Sequence, residues 1–293
     1  MNTWTHYHLA KTVDDALQAL SSTQGETRLV SGGTDLLLDI QQGRMPAPEL
    51  LVDLTGVEEM RCLELRGAEL FIGAAVPLSR VAESPLVAEH ARALTEAAGL
   101  IGGPQVRNVA TLGGNVGHAL PAADGTISLL AMGAQAEVAA PEGRRRVDLA
   151  ALFAGPGQSN LDRRREVLVG FYLAARQPNE GSAFARVMRP QGVALPILNM
   201  GIWLRREGSR VVDVRVAVGP GGPRPHRSAA AETCLCAGEF TPERVELACK
   251  ALLEDTRFRT SPQRATAAYR NHLSGVLMKD IIQRAWVRAA GQA

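Results

Sequence analysis

Aromatic residues make up only 4% of the 293 positions, and the net charge is only +2, from 32 basic and 30 acidic residues. A protein that grips nucleic acid shows a dominant basic face, with aromatics added where it stacks on single strands. Here the two basic clusters, Arg144-Arg145-Arg146 and Arg163-Arg164-Arg165, stand beside Glu142, Asp148, Asp162 and Glu166. They read as solvated surface turns, and a nucleic-acid role is set aside. Long apolar runs are missing as well. The longest mostly apolar window, Gly192 to Leu204, spans 13 residues and contains Pro196 and Asn199, whereas a membrane span needs about 20. Met1 to His6 lacks the basic region and following apolar stretch of a secretory signal, so none is expected. Cysteine is scarce: Cys62, Cys234, Cys236 and Cys249. Cys234 and Cys236 look like half of a metal or iron–sulfur site, but no second pair stands at ligand spacing. The alternative is that all four are ordinary core or surface residues. Scattered thiols in a chain of this size predict a reduced, cytoplasmic setting.

What is present is a hydrophobic content of 46% against 21% charged residues, the balance of a soluble globular chain. The length predicts two domains or subdomains. Val13, Ala16, Leu17 and Leu20 mark a helical stripe. Arg28 to Val30, Leu50 to Leu54, Glu69 to Ala74, Gln135 to Ala140 and Val167 to Ala174 read as strands. Helices are expected from Leu36, from Ser84-Pro85 through Leu94 to Ala98, and over Asp124 to Met132. Composition changes at Gln177 to Gly181, the candidate domain junction. Beyond it, Leu198 to Arg205 and Val211 to Val218 alternate as two strands around a turn at Glu207-Gly208. Thr241-Pro242 caps a helix through Leu253, and Gln263 to Trp286 carries a long helical pattern.

Two glycine-rich segments carry the chemistry. Ser31-Gly32-Gly33-Thr34-Asp35 joins a strand to a helix, and Thr111-Leu112-Gly113-Gly114-Asn115 supplies similar material with a hydroxyl and an amide. Glycine admits positive φ and lets a ligand approach the backbone with no Cβ in the way. Successive N–H groups at such a turn suit a phosphate. Neither segment is a Walker loop or the G-x-G-x-x-G fingerprint. Each alone reads equally as an ordinary tight turn; together they suggest a diphosphate held from two sides. His118 lies near the second segment with no acid or nucleophile at a defined spacing, and no nucleophile elbow is present.

These residues resemble a known family. Ser31-Gly32-Gly33-Thr34-Asp35-Leu36 looks like the first flavin motif of the FAD-binding medium subunit of molybdenum hydroxylases, the group of xanthine dehydrogenase and aerobic carbon monoxide dehydrogenase. Pro104 to Asn108, Thr111 to Asn115 and Pro121-Ala122-Ala123-Asp124 resemble the second. Gly219-Pro220 to Arg227, and Ala268-Tyr269-Arg270 with Leu273 and Leu277, are similar to the family's C-terminal domain. The resemblance implies an α+β fold: a two-subdomain FAD-binding domain of the vanillyl-alcohol-oxidase type over 1–176, divided near residue 55, then an α/β C-terminal domain over 177–293 with a small antiparallel sheet and helices.

By the same resemblance, Leu29, Val30, Ser31, Gly32, Gly33, Thr34, Asp35 and Leu36, with Thr111, Leu112, Gly113, Gly114 and Asn115, would hold the FAD diphosphate and ribityl chain. Asp124 would take a hydroxyl or amino group of the cofactor; the alternative is a helix N-terminal acid stabilised by the dipole. Ile101 matches a position near the isoalloxazine face and Leu168 one beside the ring. Arg186 matches a basic position near the cofactor, the alternative being a solvated strand charge. No side chain is assigned as an acid or base, and no metal ligand is assigned. The implied partners are a large subunit with a molybdenum cofactor and a small subunit with [2Fe-2S] clusters, in a dimer of heterotrimers. Electrons would pass through FAD to NAD or another acceptor. Two departures stand out. Gly192 precedes Val193-Ala194 where relatives often carry an acid, and no cysteine lies between Cys62 and Cys234, which excludes an inserted cluster on ligand count. The alternatives are a stand-alone flavoprotein oxidoreductase with its own substrate pocket, or an assembly subunit without flavin.

Overall fold

The computed structural model describes residues 4–189 and 195–291. Gly192, Val193 and Ala194 lie outside the described residues, and with them the departure noted at Gly192. The chain opens with β1 (His6–Leu9), α1 (Val13–Ser21), β2 (Thr27–Val30), α2 (Leu36–Gln41) and β3 (Leu50–Asp53). The three strands are parallel in the order β1-β3-β2. Helix α1 starts at Val13 because the Thr12 hydroxyl accepts from the Asp15 N–H at 3.0 Å, and its Val13, Ala16 and Leu20 bury.

A second layer is built from β4 (Leu63–Arg66), β5 (Glu69–Gly73), β6 (Gln135–Ala140) and β7 (Gly143–Asp148). A short hairpin, β8 (Phe153–Gly155) and β9 (Gln158–Ser159), leads to β10 (Val167–Ala174), which enters between β5 and β6. All neighbouring pairs in this five-stranded sheet are antiparallel. Six helices are inserted between β5 and β6: α3 (Leu78–Glu83), α4 (Pro85–His90), α5 (Arg92–Leu100), α6 (Pro104–Arg107), α7 (Leu112–Gly117) and α8 (Asp124–Ala131). The third layer is an antiparallel sheet of β11 (Glu180–Met188), β12 (Pro196–Glu207), β13 (Arg210–Gly219) and β14 (His226–Arg227), backed by α9 (Ala229–Cys236), α10 (Pro242–Asp255) and α11 (Ala267–Ala289). The result is the mixed helix and strand fold expected, with one apolar core under the first two sheets and a second under the third.

Three details differ from the sequence reading. The single helix expected from Pro85 to Ala98 is two helices, because Ala91 leaves the helical region (φ −143°, ψ 57°). The break lets α4 bury Val87 and α5 bury Ala93, Leu94, Ala97 and Ala98; alanine gives no warning of it. The long C-terminal helix starts at Ala267, not Gln263, where the Thr266 hydroxyl caps the Tyr269 N–H at 3.1 Å. Arg144, Arg145 and Arg146 are not in a turn but on strand β7. They tolerate that place because acids face them: Glu59 and Glu137 meet Arg144, Glu166 meets Arg145 and Glu69 meets Arg146.

The third layer is held to the first two at α5. The Glu96 carboxylate accepts from the Phe184 N–H at 2.8 Å and from Arg288 at 2.6 Å, with Arg284 at 3.5 Å. The Ser182 hydroxyl accepts from the Ala93 N–H at 3.1 Å. Helix α11 lies directly on β11, where a Cβ added at Gly181 would stand 2.1 Å from the Ala285 carbonyl oxygen.

Candidate functional site

The first glycine segment turns between β2 and α2. Gly33 has φ +67°, a conformation costly for any residue with a Cβ. Gly32 is required for a different reason: a Cβ there would lie 2.1 Å from the Val109 carbonyl oxygen and 2.7 Å from Ala110 Cα. The first turn is thus pressed against the chain just ahead of Thr111, and the structure brings the two segments together. Helix α2 has no side-chain cap. Among the described residues, the N–H groups from Gly32 to Leu36 donate to no backbone or side-chain acceptor, and the buried Ser31 hydroxyl has no partner. Consecutive unmatched donors at one turn are a receptor for an anion.

The second segment is organised differently. The Thr111 hydroxyl accepts from the Gly114 N–H at 3.1 Å and so caps α7. The Leu112 and Gly113 N–H groups donate to Val76 and Ala74, and the Asn115 N–H to the Thr111 carbonyl. Its backbone donors from Leu112 to Asn115 therefore already have protein acceptors. The Asn115 side-chain oxygen accepts from the Thr126 N–H at 3.2 Å, which ties α7 to the first turn of α8. Gly113 is pressed on the residue that follows β5, where a Cβ would stand 2.5 Å from that of Ala74. The Ala74 N–H in turn donates to Val169 at 2.8 Å. Val169 occupies the bulge in the β10–β6 pairing next to the buried Leu168.

Asp124 begins α8 and is 4% exposed. Its Oδ2 accepts from Arg186 Nη1 at 2.5 Å and its Oδ1 from Asn199 Nδ2 at 2.6 Å. Asn199 Nδ2 also donates to the Ala122 carbonyl at 3.0 Å. Burial pushes the Asp124 carboxyl above its ordinary range, while Arg186 and the Asn199 amide pull it back by favouring the ionised form. The second guanidinium nitrogen of Arg186 donates to the Leu100 carbonyl and lies 3.1 Å from the Met188 sulfur. Leu100 is followed by Ile101, half-buried at the end of α5, whose carbonyl accepts from Arg107 at 3.2 Å.

Hydrogen bonds join Leu100, Arg186, Asp124 and Asn199 in one chain next to Ile101, while separate bonds tie Asn115 to Thr126 on α8 and Gly113 through Ala74 to Val169 beside Leu168. The sequence reading missed Asn199, which there is only an apolar-flanked position in an alternating strand. Register is what gives it a role: Asn199 pairs with Arg186 on β11 and with Gly219 on β13. Among the described residues, no group of three or more His, Cys, Asp or Glu side chains could hold a metal ion, and no helix is long and apolar enough to cross a membrane.

Comparison with known proteins finds the same family over both halves of the chain. The family described as FAD binding domain in molybdopterin dehydrogenase matches residues 3–173, and the CO dehydrogenase flavoprotein C-terminal domain matches residues 182–285. The chain is 30% identical over 289 residues to the putative xanthine dehydrogenase FAD-binding subunit of Escherichia coli (strain K12), covering 98% of this chain and 97% of that protein. It is 31% identical over 287 residues to the nicotine 6-hydroxylase medium subunit of Paenarthrobacter nicotinovorans, with 98% and 97% covered. A chain of the carbon monoxide dehydrogenase of Hydrogenophaga pseudoflava, solved in a form lacking the Mo-pyranopterin moiety of the molybdenum cofactor, superimposes with a TM-score of 0.91 at 29% identity, covering 97% of each chain.

Proposed function

The chain belongs to the family of FAD-binding subunits of molybdenum hydroxylases, and from that premise we propose that it transfers electrons from an iron–sulfur partner to NAD or another acceptor. It is an oxidoreductase subunit whose redox chemistry belongs to its cofactor. The observation that carries the reading is the turn from Ser31 to Leu36: unmatched N–H groups, an unmatched hydroxyl, a positive φ at Gly33 and Gly32 pressed against the chain just ahead of the second segment. That donor set fits a diphosphate, and the residues present fit FAD.

Bound FAD supplies the exchange of electrons, while the protein supplies binding, orientation and the surrounding electrostatics. In this reading the N–H groups from Gly32 to Leu36 and the Ser31 hydroxyl donate to the diphosphate, with Leu29 and Val30 setting the end of the strand that aims them. Thr111 to Asn115 present the opposite wall; Thr111 and Asn115 shape it, since their side-chain oxygens already accept from Gly114 and Thr126. Asp124 accepts from a cofactor hydroxyl with a lone pair that Arg186 and Asn199 leave free. Ile101 and Leu168 keep water from the ring. No residue is required to gain or lose a proton during transfer.

The partners in this proposal are a large subunit carrying a molybdenum cofactor and a small subunit carrying [2Fe-2S] clusters, assembled as a dimer of heterotrimers in the cytoplasm. The division of the chain is placed at residues 176 and 177, with subdomains on either side of residue 55. The test is to purify the chain with its partners and alone, record the visible spectrum and release the cofactor with acid. Flavin absorbance with free FAD in the supernatant from the lone chain, and iron–sulfur absorbance only with the partners, is expected. A colourless chain that takes up no added FAD would overturn the proposal.

A further inference from the structure

Arg186, Asn199 and Gly219 stand side by side on β11, β12 and β13. All three look toward the loop that starts α8. Arg186 and Asn199 each hold one oxygen of Asp124. Gly219 must lack a side chain, because a Cβ there would lie 2.5 Å from Asn199 Oδ1 and 2.7 Å from the Pro121 carbonyl oxygen. Asn199 is 0% exposed. Its amide nitrogen is fixed in orientation: turned over, its oxygen would face both the Ala122 carbonyl and the carboxylate, and both contacts would become repulsive. A fully buried amide whose nitrogen serves the Asp124 carboxylate and the Ala122 carbonyl, and whose oxygen has no partner, is costly to keep in a core for packing alone.

We propose that Asn199 is a positioning residue for the flavin site: by donating to Asp124 Oδ1 it holds that carboxylate in the rotamer and charge state that receive the cofactor. The inference rests on the FAD-binding reading of the preceding subsection. It makes the third sheet part of the cofactor site, since the carboxylate that meets FAD is oriented entirely by side chains from beyond residue 180. It also gives the pair Arg186 and Asn199 separate tasks. Arg186 supplies the counter-charge, and Asn199 supplies a neutral donor that fixes direction without adding a second charge.

The experiment measures FAD affinity of the lone chain by fluorescence quenching across about pH 6 to 9 for wild type, Asn199→Asp, Asn199→Leu and Gly33→Val. Asn199→Asp has the same shape but sets two carboxylates against each other. The charged and titratable groups facing position 199 are then Asp124 on α8 and Arg186 on β11. Two such carboxylates share a proton and cannot both ionise at ordinary cost. The expected result is near-normal affinity at low pH that weakens by about tenfold to a hundredfold as the shared proton leaves, the size of one hydrogen bond to a charged group. Wild type and Asn199→Leu, which carry no second carboxylate, show a shallower pH dependence than Asn199→Asp, and Asn199→Leu binds more weakly than wild type at every pH. A folded Asn199→Asp whose affinity tracks wild type at every pH would overturn the inference, as would an Asn199→Leu protein that keeps full affinity. If both keep full affinity while Gly33→Val loses it, Asn199 has no part and the flavin reading stands. If wild type itself takes up no FAD, the flavin reading fails and this inference fails with it.

Discussion

Replacing Gly32 by alanine adds one methyl group, and the structure says where it must go. It would arrive 2.1 Å from the Val109 carbonyl oxygen and 2.7 Å from Ala110 Cα. Carbon atoms in ordinary contact stand about 3.5–4.0 Å apart, so the backbone ahead of Thr111 must retreat by roughly an ångström. No flexible side chain is available to yield. Overpacking of this kind costs about 1–3 kcal/mol, and the upper half of that range is expected because both obstacles are backbone. Gly33→Ala is the control. Its penalty is the positive φ, about 1–2 kcal/mol, and its nearest neighbours are side-chain atoms of Leu37 at 3.1 Å and 3.2 Å, which can turn aside. Urea unfolding of both variants, with and without saturating FAD, separates the terms. The FAD-free midpoint should fall more for Gly32→Ala. The extra stability conferred by FAD, which follows RT ln(1 + [FAD]/Kd), should shrink in both and most in Gly32→Ala. A Gly32→Ala protein with an unchanged midpoint and an unchanged FAD increment would refute the claim that the two segments are pressed together.

Glu96→Ala leaves the Phe184 N–H without its acceptor and takes one acceptor from each of Arg284 and Arg288; a loss of about 1–3 kcal/mol is expected by calorimetry, and an unaltered transition would show that the α5 contact adds nothing. Deleting the chain after Ser261 removes α11 and uncovers the second core, which Leu273, Leu277, Met278, Ile281 and Ile282 close. The product should be insoluble, and a soluble truncation loaded with flavin would contradict this. Burial pushes the Cys249 thiol from its ordinary 9.0 up to about 11. The fold therefore favours the protonated thiol, and the stability this contributes is complete below about 9 and lost as pH rises towards about 11. Wild type should lose thermal stability more steeply than Cys249→Ala over that interval, and parallel curves would dismiss the burial argument.

Elements set by local chemistry were legible in the sequence. Thr241-Pro242 before a periodic run announces a helix start because the cap and its target lie within one turn. The turn at Ser31 to Asp35 was legible because glycine pairs between a strand and a helix have few uses. The break at Ala91 was not, since alanine favours helix and the cause is the direction in which each half buries. The strand at Arg144 to Arg146 was hidden because its charges are balanced by acids such as Glu59 and Glu69, distant in sequence. Asn199 was hidden for the same reason: its partner arrives only through sheet register.

The arginine row on β7 also governs how this molecule meets others. Strand β7 is one border of the five-stranded sheet, and a bare border is a template on which a foreign strand can grow. Arg146 reaches back to Glu69 on β5, with its guanidinium 3.4 Å from the Tyr172 ring centre on β10. A strand approaching this border would have to lie beside three consecutive arginines. Three charged side chains on consecutive positions make this border a poor place for growth by sheet extension.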